Sequence, residues 1–314
     1  MANPAPHVPV LAGPALEFLR VRPDGCYVDC TAGAGGHSAL IAARLTTGRL
    51  IALDRDPLGV ELTRERLRTV ESATVLLRNY AELADVLHEH HTARVDGVLL
   101  DAGLSSMQID DPDRGFSFQS DGPLDMRMSP QESETAAAFL PRVTEDELVR
   151  ALREYGDLRQ AGRIARAIIS RREQGALQRT GDLRDAVKEA LPFVKGVPEE
   201  VRTVFQAVRI ALNQELRWLE DGVRQAIDAL APGGRFVAIT FHSGEDRVVK
   251  NLLRDAGRPQ RLLHPDGRVR QVIPPRVRVL TPSPVVADDE ETRVNPRAKS
   301  AKLRAVERLP EGEI

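Results

Sequence analysis

Short apolar runs separated by amphipathic segments mark the first hundred residues of the chain. Four runs are candidate strands: Tyr27-Val28, Leu50–Leu53, Thr74–Leu77 and Val95–Leu100. The segments between them place apolar residues at the three- and four-residue spacing of a helix, as in Ala39–Leu45. Strands that alternate with helices predict an open parallel sheet, whose ligands bind beyond the carboxyl ends of the strands.

The alternation stops after the fourth run. Residues 110–129 show no regular period, yet their aromatic and methionine side chains argue against disorder. Helical patterns then continue to about residue 230, and the last of them starts near Glu199 as one long helix. Arg235–Phe241 follows as a fifth strand. We therefore predict an α/β fold with an all-helical insertion, and the bounds are 112–212 for the insertion and 1–111 with 213–314 for the α/β domain.

A glycine-rich turn follows the first strand. It reads Asp29-Cys-Thr-Ala-Gly-Ala-Gly-Gly-His37 and leads into a helical pattern. Gly35 and Gly36 let a ligand approach the backbone where a Cβ atom would collide. Asp54 ends the second strand, where a carboxylate can accept hydrogen bonds from both hydroxyls of a ribose. These features predict a cofactor that contains a nucleoside.

The turn favours one such cofactor over another. A dinucleotide-binding turn has a third glycine, but Ser38 occupies that position. Asp29 would also lie unfavourably beside a pyrophosphate, whereas it suits the ammonium group of S-adenosyl-L-methionine (SAM), which has no phosphate. We therefore expect SAM, and an NAD-dependent dehydrogenase, which would share the fold, is the alternative enzyme.

Composition is that of an ordinary globular protein, with 42% hydrophobic and 29% charged residues. No apolar run reaches the length of a membrane span and the N-terminus lacks a signal pattern, so we expect a cytoplasmic protein without a membrane partner. Two cysteines, Cys26 and Cys30, provide neither a disulfide framework nor a zinc site. The histidines at 88, 90 and 91 have no ligand spaced to complete a site, so no metal is expected.

Basic residues are concentrated in two stretches of a chain whose net charge is −2. Residues 150–179 contain eight basic and three acidic side chains, and residues 261–308 contain eleven and six. Such stretches suggest an anionic partner such as RNA, although solvated helix faces would give the same pattern. A non-catalytic RNA-binding assembly factor, which needs no cofactor, is therefore a second alternative.

Reactive side chains should follow the first, fourth and fifth strands, which deliver Asp29, Asp101 and His242. Asp101 would then lie next to the methyl group of the cofactor. Methylation at C5 of a pyrimidine normally requires a cysteine nucleophile, and no cysteine follows the fourth or fifth strand. Methylation of a catechol would require a metal. The remaining possibility is that an amine, amide or hydroxyl group of the substrate attacks the methyl group directly.

Eight segments, in order along nearly the whole chain, resemble the bacterial 16S ribosomal RNA cytosine-N4 methyltransferase H family. They are Asp29–Ser38, Asp54–Pro57, Ser105–Gln108, Arg114–Phe118, Asp121–Met128, Phe205–Ile210, Phe241–Arg247 and Asn295–Arg304. The central Asp121–Met128 segment is highly specific. The chain departs from the family pattern after Asp101, where Ala102 and Leu104 replace leucine and valine, and at Gly244, where the family usually has leucine. These positions bear on local packing.

The resemblance implies a Rossmann-like class I SAM-dependent methyltransferase sheet with an inserted helical domain. It also implies methyl transfer to N4 of a cytidine, cytidine 1402, in the 16S rRNA of the small ribosomal subunit. The family's cofactor residues correspond to Gly35, Gly36, His37, Asp54, Tyr80, Asp101 and Gln108, to which the turn adds Asp29 and Gly33. The sequence leaves the oligomeric state open, a homodimer included, and does not distinguish naked rRNA from an assembled subunit.

The expected mechanism is a single displacement from sulfur to nitrogen, with the target base lifted out of its stack. Asp101 is the first choice for accepting the proton of the amine, and His242 and Asn213 are further catalytic candidates. Predicted substrate contacts are Ser243 at the base edge, Asp125 and Arg127 in a lid, and Arg163, Arg166 and Arg297 at phosphates.

Overall fold

The structure, a computed structural model, describes residues 9–264 and 268–310. The chain divides into two compact units. The sheet unit comprises Met1–Gly103 and Leu216–Ile314, and the helical unit comprises Leu104–Glu215. The helical unit therefore begins at Leu104 rather than at 112 and ends at Glu215 rather than at 212.

Nine strands make up the β structure of the sheet unit within the described residues. They are β1 (Cys26–Asp29), β2 (Arg49–Asp54), β3 (Ala73–Leu77), β4 (Val95–Asp101), β5 (Leu230–Thr240), β6 (Gln260–Leu263), β7 (Val269–Ile273), β8 (Val277–Val279) and β9 (Lys302–Arg308). Seven of them form one sheet in the order β3-β2-β1-β4-β5-β9-β8. The first five of that order run parallel, whereas β9 runs antiparallel to both of its neighbours. The reversal of strand order beside β1 is where such sheets bind ligands.

Helices connect the strands and build the second unit. In the sheet unit they are α1 (Ala12–Leu19), α2 (Gly36–Ala42), α3 (Pro57–Arg66) and α4 (Leu83–Glu89). In the helical unit they are α5 (Ser106–Asp110), α6 (Ala136–Phe139), α7 (Glu145–Glu154), α8 (Ala161–Glu173), α9 (Thr180–Ala190) and α10 (Glu200–Asn213). After them come α11 (Glu215–Ala229), α12 (Ser243–Ala256) and α13 (Asp289–Val294). No helix in 9–264 or 268–310 combines the length and hydropathy of a membrane span.

Local sequence explains where several helices begin. The carboxylate of Asp56 accepts a hydrogen bond from the amide of Leu58, and Pro57 occupies the first helical position of α3. Thr144 caps α7 in a reciprocal pair with Glu147, which matches the threonine-x-x-glutamate spacing of a capping box.

The loop that precedes α6 is part of the core of the helical unit. Leu124 and Met126 are buried against the apolar faces of α7 to α10, as are Phe116 and Met128. This packing explains the aromatic and methionine content of the stretch. The loop is an integral part of the helical unit because its apolar side chains contribute to the core of that unit.

The single long helix predicted from Glu199 onward is wrong. It breaks at Gln214, whose φ of 49° is left-handed, so that α10 ends at Asn213 and α11 begins at Glu215. No glycine or proline signals this break. Instead, Arg209 donates two hydrogen bonds of 2.8 Å to the Glu215 carboxylate across it, in a salt bridge that is largely buried. Asn213, the last residue of α10, is also hydrogen-bonded to the backbone of Met126 and Met128, so contacts with a segment far away in the sequence override the helical period.

Candidate active site

The glycine turn between β1 and α2 is held in a left-handed conformation at two positions. Gly33 and Gly35 have φ values of 55° and 74°, which residues other than glycine adopt only at a cost in free energy. A Cβ atom on Gly35 would come within 3.2 Å of Thr63, whereas one on Gly33 would meet nothing within 4 Å. The space in front of Gly33 is therefore open to a ligand.

Asp54, at the end of β2, fixes this turn. Its Oδ2 accepts a 2.7 Å hydrogen bond from the Gly33 amide, and its Oδ1 accepts one of 2.8 Å from the Asp56 amide. Burial raises the pKa of Asp54 to about 6, although the two amides lower it. A carboxylate has more acceptor positions than these two bonds use, so the predicted contact with ribose hydroxyls is compatible with this role and stays a prediction.

Asp29 stabilises the turn through hydrogen bonds to its buried side chain. Its side chain is completely buried, and its oxygens accept hydrogen bonds from the Ser38 hydroxyl at 2.6 Å and the Thr31 amide at 3.2 Å. Burial raises the pKa of this carboxyl, which the nearby His37 opposes. The contact between Asp29 and a cofactor ammonium group stays a prediction, and the bonds that the structure shows are those of a positioning residue.

His37 and Asp101 meet at the ends of α2 and β4. His37 Nε2 lies 3.6 Å from Asp101 Oδ2, beyond hydrogen-bonding distance. Both ring nitrogens of His37 and Oδ1 of Asp101 are buried without a hydrogen-bond partner among the described residues. Burial by itself lowers the pKa of His37, but the carboxylates of Asp101 and Asp29 raise it above the usual value. The pair therefore presents buried polar atoms that a ligand can satisfy.

These unsatisfied atoms fit SAM. Its amino acid and ribose carry donors and acceptors, and an anionic carboxylate beside open backbone suits a cationic, phosphate-free ligand. Gly33, His37 and Asp54 are the residues that would hold it, with Asp101 beside them.

His242 caps α12 through its side chain. Its Nδ1 accepts hydrogen bonds from the amides of Gly244 (3.2 Å) and Glu245 (3.4 Å). An accepting Nδ1 carries no proton, so the neutral ring bears its proton on Nε2. That Nε2 lies 3.2 Å from Glu245 Oε1 but outside hydrogen-bonding geometry, and it is buried without a partner. His242 thus offers a donor at this edge rather than a base.

Glu245 orients this corner of the site. Its Oε2 accepts hydrogen bonds from the backbone amides of Phe241 (2.7 Å) and His242 (3.3 Å). A Cβ atom built on Gly103, two residues after Asp101, would lie 3.8 Å from Glu245 Oε1. Because β4 and β5 are neighbouring parallel strands, Asp101 and His242 follow them at the same edge of the sheet. The exposed Ser243 is the first residue of α12 at this edge.

Two candidate residues of the helical unit are fully engaged in internal hydrogen bonds. Asn213 Oδ1 accepts from the Met128 amide, and its Nδ2 donates to the carbonyls of Met126 and Arg209, all at 2.8 to 2.9 Å. Gln108 Nε2 donates to the Met128 carbonyl, while Oε1 accepts from the Ser105 amide. Both side chains fix the loop, and their predicted catalytic and cofactor roles remain predictions.

Asp125 and Arg127 form a closed pair on the same loop. Arg127 donates two 2.8 Å hydrogen bonds to the Asp125 carboxylate and two more to the carbonyls of Pro130 and Glu132. The partners of the guanidinium are therefore all internal, and the intervening Met126 is anchored in the core with a φ of 59°. Their action as a lid on the substrate stays a prediction.

The remaining predicted contacts lie on helix surfaces. The Arg163 guanidinium lies 5.8 Å from the centroid of the exposed Phe193 ring, and Arg166 lies 3.7 Å from Glu145. Arg297 is half-buried in the 3-10 helix Pro296–Ser300. Their contacts with phosphates are untested by this geometry.

Tyr80 starts the short 3-10 helix Tyr80–Glu82 beyond β3. A Cβ atom on Gly222 of α11 would come within 2.5 Å of the Tyr80 ring, so this glycine makes room for the ring. Sequence reasoning missed Gly222, and it missed Thr31, Ser38, Thr63 and Glu245 as positioning residues. The hydroxyl residues lie inside or near the quoted motifs, but no sequence signal relates Gly222 to Tyr80.

No group of three or more metal-ligating side chains occurs among residues 9–264 and 268–310. The described acids and histidines at the strand ends lie alone or in pairs, which are too few ligands for a metal site.

The sequence was compared with known proteins. Residues 4–309 match the model of the MraW methylase family. A protein from Heliobacterium modesticaldum named Ribosomal RNA small subunit methyltransferase H is 44% identical over 310 residues, which cover 96% of this chain and 98% of that protein. Proteins of the same name from Pelobacter propionicus and Geobacter sulfurreducens are each 46% identical, with 96% of this chain and 98% and 99% of theirs covered.

Proposed function

This chain belongs to the MraW methylase family, and we propose that it transfers the methyl group of SAM to N4 of cytidine 1402 in 16S ribosomal RNA. It is a SAM-dependent methyltransferase with a Rossmann-like sheet. Relatives that match along nearly their full length are named for the ribosomal RNA of the small subunit, which supports that substrate class. The proposal places the protein in the cytoplasm, where ribosomal subunits are assembled.

The unsatisfied carboxylate oxygen of Asp101 is the observation that supports an amine acceptor. The exocyclic amine of cytosine is a weak nucleophile because its lone pair is delocalised into the ring, and its proton becomes acidic only as the new bond forms. An ordinary carboxylate held beside the amine therefore suffices to accept that proton. Asp101 Oδ1 is buried and has no partner among the described residues, so it is available for this bond.

The other strand-end residues position and orient. The bound cofactor supplies a methyl group on a sulfonium, and the chain supplies geometry and charge around it. His37 Nε2 lies 3.6 Å from Asp101 Oδ2, so it faces the carboxylate oxygen that is not the proposed proton acceptor. His242 Nε2–H would donate to an acceptor on the edge of the flipped base. The absence of a cysteine at the ends of β4 and β5 argues against C5 of the base as the acceptor.

Mass spectrometry of ribosomal RNA nucleosides tests the proposal. Cells without the gene should lack N4-methylated cytidine at one position of the small-subunit rRNA, and the intact gene should restore it. The purified protein should methylate small-subunit rRNA in the presence of SAM, and replacement of the target cytidine by uridine should abolish incorporation. Unchanged N4 methylation without the gene contradicts the proposal, and calorimetry that shows no binding of SAM would favour a non-catalytic assembly factor.

A further inference from the structure

Strands β6 and β7 form a two-stranded ribbon that does not join the seven-stranded sheet. In its register, Arg261 lies opposite Val272 and Leu262 opposite Gln271. Cross-strand partners share a face and successive residues alternate between faces, so each face of the ribbon bears one of these two pairs. All four side chains are exposed. Both faces of the ribbon are therefore uncovered.

Such a ribbon is only marginally stable in water and usually packs against a partner. Here three apolar side chains face solvent: Leu262, Val269 and Val272 are 43%, 48% and 52% exposed. Ten large apolar side chains are exposed among the described residues, and three of them lie on this ribbon. Their concentration on one short ribbon indicates an interaction surface.

Charge identifies the chemistry of the partner. The stretch from Arg258 to Val279 contains six arginines and one acidic residue, Asp266. At the base of the ribbon, Arg276 and Arg278 are neutralised by Asp228 (2.5 Å) and Glu307 (2.7 Å). By contrast, Arg258, Arg261 and Arg270 form no salt bridge with any residue that the structure describes. Unpaired arginines that alternate with apolar side chains complement a phosphate backbone with exposed sugars and bases.

We propose that this ribbon docks onto a segment of ribosomal RNA away from the target cytidine and acts as a remote anchor. The inference rests on the proposed function, because it takes rRNA as the substrate. Helix α12 begins beside His242 and its fourteen residues end just before the ribbon, a rise of about 20 Å. The anchored segment is therefore distinct from the nucleotide in the active site. A contact so far from the reacting atoms binds substrate and transition state equally, so it lowers KM and leaves kcat unchanged.

The test uses the full-length triple variant Arg258→Gln/Arg261→Gln/Arg270→Gln with protein-free small-subunit rRNA. The slope of log Kd for RNA against log salt concentration should fall by about 2, since each phosphate contact contributes about 0.7 to 0.9. KM for the rRNA should rise about tenfold or more at physiological salt, with kcat within about twofold of the original value and an unchanged affinity for SAM.

The matched control is Arg44→Gln/Arg68→Gln/Arg224→Gln, which removes the same charge from exposed positions of the sheet unit outside the ribbon. It should keep the original salt slope. The lysine variant Arg258→Lys/Arg261→Lys/Arg270→Lys should restore most of the slope because phosphate contacts depend mainly on charge. Thermal unfolding checks that each variant folds, and if the triple variant does not, the single variants should each lower the slope by less than 1.

A glutamine variant with the original slope and KM overturns the proposal. A loss of affinity for assembled subunits alone, with binding to protein-free rRNA unchanged, also overturns it, because the ribbon would then contact a protein. Failure of the proposed function gives a different result: the unsubstituted protein itself would leave rRNA unmethylated in the same preparations.

Discussion

The strand ends of the sheet unit and the loop of the helical unit both bury polar side chains, but they differ in how these are satisfied. In the sheet unit, His37, Asp101 and His242 have buried atoms without hydrogen-bond partners. In the helical unit, Asn213 and Gln108 bond to backbone through both ends of their amides. An unsatisfied buried group costs about 1 to 3 kcal/mol, so a fold retains it where a ligand relieves the cost. We propose that this difference separates residues that face a ligand from structural ones.

The largest effect should come from Asp101→Asn. The amide cannot accept a proton as a carboxylate does, and we expect kcat for rRNA methylation to fall by about 100- to 10,000-fold. The measurement is a single-turnover methylation assay with saturating SAM, accompanied by thermal unfolding to confirm the fold.

A matched control lies on the same strand. Asp96→Asn changes a carboxyl at the opposite end of β4, where it pairs with Arg22 and accepts a hydrogen bond from the Cys26 amide. It should leave kcat nearly unchanged. A rate for Asp101→Asn equal to that of the control would remove Asp101 as the proton acceptor and with it the ligand-facing half of the comparison.

Asn213→Ala should act on stability first. It leaves the Met128 amide and the Met126 carbonyl without partners and removes a second hydrogen bond from the helical Arg209 carbonyl, so the free energy of unfolding of the helical unit should fall by about 2 to 3 kcal/mol. Denaturant unfolding measures this change. Asn251→Ala, at a partly exposed position of α12, should cost much less. If Asn213→Ala instead keeps full stability and loses only kcat, Asn213 belongs with the ligand-facing residues.

Asp54→Asn tests two trends with pH that run in opposite directions, that of the stability of the folded protein and that of its affinity for SAM. The pKa of Asp54 is raised from 3.8 to about 6, so the folded protein without cofactor binds a proton that the unfolded chain does not bind between about pH 4 and 6. This group therefore stabilises the protein at low pH, and that contribution is lost as pH rises through 6. Hydrogen bonds from ribose hydroxyls favour the ionised form, so the affinity for SAM should rise over the same range.

The Asn variant should flatten both trends and weaken SAM binding about tenfold at pH 8. Thermal unfolding and calorimetry between pH 4.5 and 8 measure them. If the affinity of the unsubstituted protein for SAM does not change with pH over this range, Asp54 stabilises the turn and does not contact the cofactor.

His242→Asn should give the smallest effect. Asparagine is a good helix N-cap, so the stability of α12 should be nearly unchanged, but the donor at Nε2 is lost. We expect kcat/KM for rRNA to fall by about three- to tenfold. If stability falls and methylation does not, His242 is a cap only, and its unsatisfied nitrogen does not mark the substrate site.

Much of the sheet unit follows from local sequence. The apolar runs ending at Asp29, Asp54 and Asp101 became parallel strands, and the predicted fifth strand, Arg235–Phe241, was confirmed within β5 as far as Thr240. Buried parallel strands are recognisable because both of their faces are apolar. The two-stranded ribbon of β6 and β7 was not predicted, because strands that bury little apolar area leave little periodic signal.

The sequence names candidates for the site, but it does not show which of their polar atoms are already bonded within the fold. In the sequence, Asn213, Asp125 and Arg127 look like reactive groups, and only the structure shows that their polar atoms are bonded within the helical unit. Conversely, Gly222 carries no motif, yet it makes room for Tyr80.

The sequence by itself determined the alternation of strands and helices from β1 to β4, the later strand β5, the glycine turn, and which side chains follow these strands, because these depend on local periodicity and on residue conformational preference. The tertiary structure decided the break at Gln214, the bounds of the helical unit, and which buried polar atoms are satisfied. Those features depend on hydrogen bonds and packing between residues far apart in the chain, and a one-dimensional pattern does not record such partners.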